Sequence, residues 1–81
     1  MLGKVIGFVR KSGMFITEND DGSYSIIEPL CAFSAEVGDT IKGNLRSVAG
    51  EILRNVSKSK DIPVYIQDFD VSRDLAFSML R

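Results

Sequence analysis

The sequence predicts a mainly β domain: a small closed barrel of five strands, followed by a C-terminal strand and a short helix. Three observations predict it. Short runs rich in β-branched and aromatic residues recur along residues 4–57, clusters of Gly, Asn, Asp and Ser separate them, and a longer excursion follows the third run. Five short strands suit a closed barrel better than a sandwich, which needs more strands; a meander of hairpins is the competing topology.

The first strand is read over residues 4–10, KVIGFVR, and is closed by Lys11-Ser12-Gly13. The second covers residues 14–18 and runs into Asn19-Asp20-Asp21-Gly22, whose Asp-Gly pair suits the positive backbone angles of a tight hairpin. The third covers residues 23–28. Pro29 has no amide hydrogen for a ladder, so it ends that strand and opens a connection in which a short helical turn fits. Glu36-Val37-Gly38-Asp39 makes a turn before a fourth strand over residues 40–45, and Val48-Ala49-Gly50 separates that strand from a fifth over residues 51–57. The barrel therefore spans residues 1–57. Residues 58–81 form an extension packed on the same domain, joined by the polar run 57–61. Ile62, Val64 and Ile66 alternate as in a strand, and Pro63 favours an edge position. Ser72 is a good N-cap for a helix over residues 73–81.

The chain has 81 residues, 44% hydrophobic and 26% charged, which suits one globular unit with a modest core. A net charge of −1 argues against strong non-specific attraction to a phosphate backbone. Lys4, Arg10 and Lys11 nevertheless precede a loop crowded with Glu18, Asp20 and Asp21, so a basic patch beside an acidic tip is one arrangement and plain solvation the other. One cysteine excludes an internal disulfide, and the absence of histidine removes the usual zinc frameworks; no metal and no cofactor is expected. Cys31, beside Leu30 and Ala32, reads as a small buried hydrophobe. Charges interrupt the apolar N-terminus too soon for a signal peptide or a spanning helix, so no membrane is expected and the expected location is the cytoplasm.

Over residues 3–57 the order and spacing of these pieces resemble the cold-shock domain and related small oligonucleotide-binding (OB-fold) barrels. The carriers are GKVIGFV from residue 3, GMFIT from residue 13, DGSYSII from residue 21, FSA from residue 33, VGDTIKG from residue 37 and Asn55-Val56. In that family, aromatic side chains on the first three strands form a platform for stacked bases, flanked by lysines and arginines that meet phosphates. The resemblance implies a non-enzymatic binder of single-stranded RNA or DNA, weak and salt-sensitive, using Phe8, Phe15, Tyr24, Arg10 and Lys11. The chain departs from the pattern at Gly7, where a tryptophan is expected, and at Gly13, where the second strand's first aromatic belongs; in the third strand either Tyr24 or Ser25 falls on the aromatic position, and only Tyr24 supplies a stacking ring.

Each of these aromatics has a plainer reading. Phe8 and Phe15 can fill the barrel or cover its end, and Tyr24 shares with Ile26 a face that is more simply a core face. An enzyme needs a nucleophile with its base, paired carboxylates in a cleft or a phosphate-cradling loop. Ser57-Lys58-Ser59-Lys60 is too flexible for the first, and Asp68, Asp70 and Asp74 read as solvated charges near a helix start as readily as a weak cation site. The chain is not expected to be an enzyme. The extension holds much apolar surface for one strand and one helix, among it Ile62, Val64, Tyr65, Phe69, Leu75 and Phe77. This predicts a homodimer through residues 62–81, and with it the alternative function of a protein-interaction or self-associating barrel that has lost nucleic-acid binding.

Overall fold

β-branched and aromatic residues extend the chain almost from its start, and β1 runs Leu2–Phe8. The structure, a computed structural model, describes residues 1–9, 12–32 and 34–80; Arg10, Lys11, Phe33 and Arg81 lie outside the described residues. β2 (Phe15–Asn19) and β3 (Tyr24–Pro29) follow, each antiparallel to the strand before it, as links too short for a crossover demand. The Asp-Gly turn forms as expected. Gly22 N–H donates to the Asn19 carbonyl at 3.0 Å, and Gly22 takes a φ of 86° that favours glycine.

Beyond β3 the described residues up to Asp39 run in turns and bends, without the expected helical turn. β4 is short, Thr40–Lys42, because the chain then bends inward and buries Leu45 completely. β5 (Gly50–Asn55) and β6 (Lys60–Val71) are joined by a tight turn with Ser59 at a φ of 53°, so residues 57–61 are a hairpin end and not a linker. The helix α1 covers Arg73–Met79, and the Ser72 hydroxyl accepts from Leu75 N–H at 3.1 Å, the cap predicted for it.

The strands close into a barrel in the order β1-β2-β3-β6-β5-β4, with β4 returning to β1. The protein is thus a mainly β closed barrel with one short C-terminal helix. It differs from expectation in having six strands and in where the last one sits. β6 is not laid over a finished barrel of residues 1–57; it is the wall between β3 and β5, paired on both edges. Without it those two strands would present unpaired ladders.

Two apolar clusters follow from strand alternation. Inward-facing Val5, Phe15, Ile27, Ile41, Leu53 and Ile66, with their neighbours, fill the barrel. One end of that interior is polar and internally satisfied. Thr17 Oγ1 donates to Asn19 Oδ1 at 2.8 Å, Asn19 Nδ2 donates to Ser25 Oγ at 2.9 Å, and Ser25 Oγ donates to the Leu45 carbonyl at 2.7 Å. These bonds tie the β2–β3 hairpin to the segment between β4 and β5. The second cluster, around Ile16, Tyr24, Ile26, Val71 and Ala76, lies outside the barrel wall, under α1.

A second polar knot holds the segment ahead of β4. Asp39 Oδ2 accepts from Asn55 Nδ2 and from Glu36 N–H, both at 2.9 Å, and Lys58 Nζ lies 3.9 Å away. Burial works to raise the Asp39 pKa, but the bonds from Asn55 and Glu36 and the Lys58 charge outweigh it and hold the carboxyl below its ordinary 3.8. A carboxyl depressed in the folded state adds stability that is present above its unfolded pKa and is lost as pH falls through the folded value. Urea unfolding from about pH 6 to about pH 2 should therefore show stability falling below about pH 4, with Asp21, lowered by its hydrogen bonds from Ser23, adding to the same limb. Asp39→Asn should shrink that limb. An unchanged limb in the variant would remove Asp39 from this role.

Candidate binding surfaces

The outer face of β1–β3 is where the cold-shock resemblance places nucleic acid, and here the chain's own C-terminus covers it. Tyr24 and Ile26 point outward from β3 and are 4% and 5% exposed, because α1 lies over them. The Tyr24 ring meets Phe77 edge-on, with centroids 6.0 Å apart, and its hydroxyl donates to Glu18 Oε2 at 3.1 Å. Burial, and then this bond to a carboxylate, push the phenol pKa up. The face shared by Tyr24 and Ile26 is thus a core face, as the plainer reading held, but it belongs to the helix-covered cluster and not to the barrel interior.

Gly7 explains how the tail fits. A Cβ built on it would stand 2.8 Å from Leu80 Cδ2, and Leu80 pairs with Val9 as an isolated antiparallel bridge. The position where the family pattern expects tryptophan is the seat of Leu80. A side chain there would require that of Leu80 to move aside.

The site residues expected from sequence do not converge on one platform. Phe15 is 0% exposed inside the barrel, so its ring is unavailable to a base. Tyr24 is sealed by Phe77. Arg10 and Lys11 lie outside the described residues. Phe8 alone keeps an accessible ring, 37% exposed and edge-on to Phe15 at 6.1 Å. It lines a cleft of about 400 Å³ at one barrel end, with Ser12, Gly13, Glu28, Leu30 and Cys31. Glu28 Oε1 accepts from Gln67 Nε2 at 2.7 Å on the rim. Cys31 is exposed, against expectation: its apolar neighbours Leu30 and Ala32 are exposed with it, in a segment without strand pairing.

A second surface was not singled out from the sequence. On the outer side of β3, β6 and β5 the ladder aligns Pro63 with Ile52, and Leu30 N–H donates to the Pro63 carbonyl at 3.0 Å. Leu30 and Ile52 are 59% and 67% exposed there, flanked by Tyr65, and they rim a shallow hollow of about 310 Å³ over Gly50 and Pro63. Arg54 and Asp61 form an ion pair of 3.2 Å beside it. The signal for this surface was the alignment of Leu30, Pro63 and Ile52 across three strands, legible only once the strand register is known. The other side chains that motivated dimerisation through residues 62–81 divide: Ile62, Val64 and Ile66 are core, whereas Tyr65, Leu75 and Phe77 are exposed.

Among the described residues, no helix is long and apolar enough to cross a membrane, and no group of three Cys, Asp or Glu side chains is placed to hold a metal ion. Compared with protein families, with curated proteins and with solved structures, the chain finds a match in none of the three.

Proposed function

We propose that this protein is a non-enzymatic interaction module that works by protein contact, in the first place with a second copy of itself. The observation that carries this reading is the fate of the β1–β3 face. Ile16, Tyr24 and Ile26 of that face already have a partner in α1, and Gly7 in Leu80, while Leu30 just past β3, Ile52 on β5 and Tyr65 on β6 stay exposed. Exposed, contiguous apolar side chains rimmed by charge are the usual mark of a protein contact. A barrel of this size, without disulfides, also gains stability by burying more surface in a dimer.

Sedimentation velocity from a few to a few hundred micromolar tests it, with fluorescence anisotropy on labelled mixed-sequence oligonucleotides at low salt run in parallel. A concentration-dependent dimer without oligonucleotide binding is the expected result. A monomer that binds oligonucleotides would replace this reading with a second one, weak and salt-sensitive binding of single-stranded RNA or DNA. That second reading is favoured by the Phe8 ring, open to a cleft lined by Ser12 and Gly13, which follow Arg10 and Lys11 in sequence. On it, Phe8→Ala should weaken binding by about 1–3 kcal/mol, the value of one stacked base.

A further inference from the structure

We infer that two copies of the chain exchange their C-terminal tails, α1 and Leu80 of each lying over the β1–β3 face of the other. The inference rests on the self-association reading above and gives it a contact separate from Leu30, Ile52 and Tyr65. What covers the β1–β3 face is set by the fold itself. Ala76 is buried in the cluster of Ile16, Tyr24 and Ile26, the Phe77 ring meets Tyr24 edge-on, and Leu80 takes the space above Gly7. The face of one copy therefore fits the tail of another as well as its own.

The joint between β6 and α1 favours exchange. β6 runs toward Tyr24, which pairs with Val71, and the tail then turns back over the same sheet to reach Val9. Ser72 alone stands between the strand and the helix. Strain is held just before this reversal. Between the pair Ile26 with Asp68 and the pair Tyr24 with Val71, β6 carries one residue more than β3, and Asp70 in this bulge takes a φ of 56°. That left-handed backbone is free to glycine and unfavourable for an aspartate. Arg46 Nη2 lies 3.7 Å from Asp70 Oδ2, an exposed pair too weak to lock the joint. Nor does the helix hold itself. Seven residues are too few for a helix stable alone, and Leu75 and Phe77 stay exposed on it, so the tail opens more readily than the barrel. Short hinges under strain invite exchange. In the exchanged pair each tail contact is remade with the other copy, Asp70 relaxes to extended backbone, and two-fold reciprocity leaves neither face uncovered.

The test is a pair of cysteines, Val9→Cys and Leu80→Cys, in the full chain with Cys31→Ser, beside sedimentation velocity of the wild type. The two positions face each other across an antiparallel bridge, a separation that a disulfide spans. Oxidised at a few hundred micromolar, this chain should run on a non-reducing gel chiefly as a covalent dimer. Equilibrated at a few micromolar before oxidation, it should run as a monomer closed by an internal bond. Neither cysteine alone should cross-link. Asp70→Gly, which takes the left-handed backbone freely in the closed chain, should raise the dimer dissociation constant at least about fivefold. A dimer by sedimentation whose bond between positions 9 and 80 stays within one chain at every concentration would overturn the exchange and leave self-association standing. A covalent dimer from either cysteine alone would also overturn it, and an unchanged dissociation constant in Asp70→Gly would overturn the hinge. A wild-type monomer at a few hundred micromolar would remove both the exchange and the self-association reading.

Discussion

A chain ended after Lys60 is expected not to fold: its far-UV circular dichroism should be that of a coil, without a cooperative transition in urea. Eleven of the twelve residues of β6 are lost, and with them its pairing with β3 on one edge and nearly all of that with β5 on the other, so the barrel opens along two ladders at once. The truncation also removes Ile62, Val64, Ile66 and Val71 from the two cores. Burying each such side chain is worth about 1.5–3 kcal/mol, so together they match the whole stability of an ordinary domain, about 5–15 kcal/mol. Removal of residues 73–81 alone should behave differently, leaving a closed, cooperative barrel of lower stability with Ile16, Tyr24 and Ile26 newly exposed. A cooperative transition in the shorter chain would refute the assignment of β6 as a wall.

Phe15→Ala should destabilise the protein by about 3–5 kcal/mol, the usual result of emptying a buried aromatic site. Phe8→Ala should cost about 1 kcal/mol, close to the value of its edge-on contact with Phe15. Urea denaturation of the two variants measures the difference. The comparison bears on function as well as packing, because equal and small losses would mean that Phe15 is as free as Phe8 to meet a ligand. A large loss at Phe15 alone leaves Phe8 as the one aromatic of the expected platform able to act outside the fold.

Elements whose signals are local were legible in the sequence. The Asp21-Gly22 turn, the three antiparallel strands around it and the Ser72 cap each depend on residues a few positions apart. What was not legible depended on partners far along the chain. Pro63 suggested an edge strand because it has no amide hydrogen, yet it sits within the wall. Its carbonyl faces Leu30, and the N–H of a strand residue lies on the same side as its carbonyl. The missing hydrogen therefore falls where the β3 ladder is already ending, and little is lost. Gly7 read as an absent stacking ring because its neighbour Leu80 lies at the other end of the sequence. The exposure of Cys31 was missed for a related reason: an apolar triplet signals burial only when strand pairing turns it inward.

The closing order of the barrel also bears on how the chain acquires its structure. The two seams, β1 with β4 and β3 with β6, join segments separated by most of a three-stranded meander, so neither meander can complete itself from its own residues. Contacts of such long sequence separation are slow to form, because loop entropy is lost before the contacts are gained. During synthesis β3 would leave the ribosome with one edge and its outer apolar face unpartnered, and it would stay so until residues 60–80 had followed. The nascent chain must therefore cross an aggregation-exposed interval that ends only when its last strand and helix arrive.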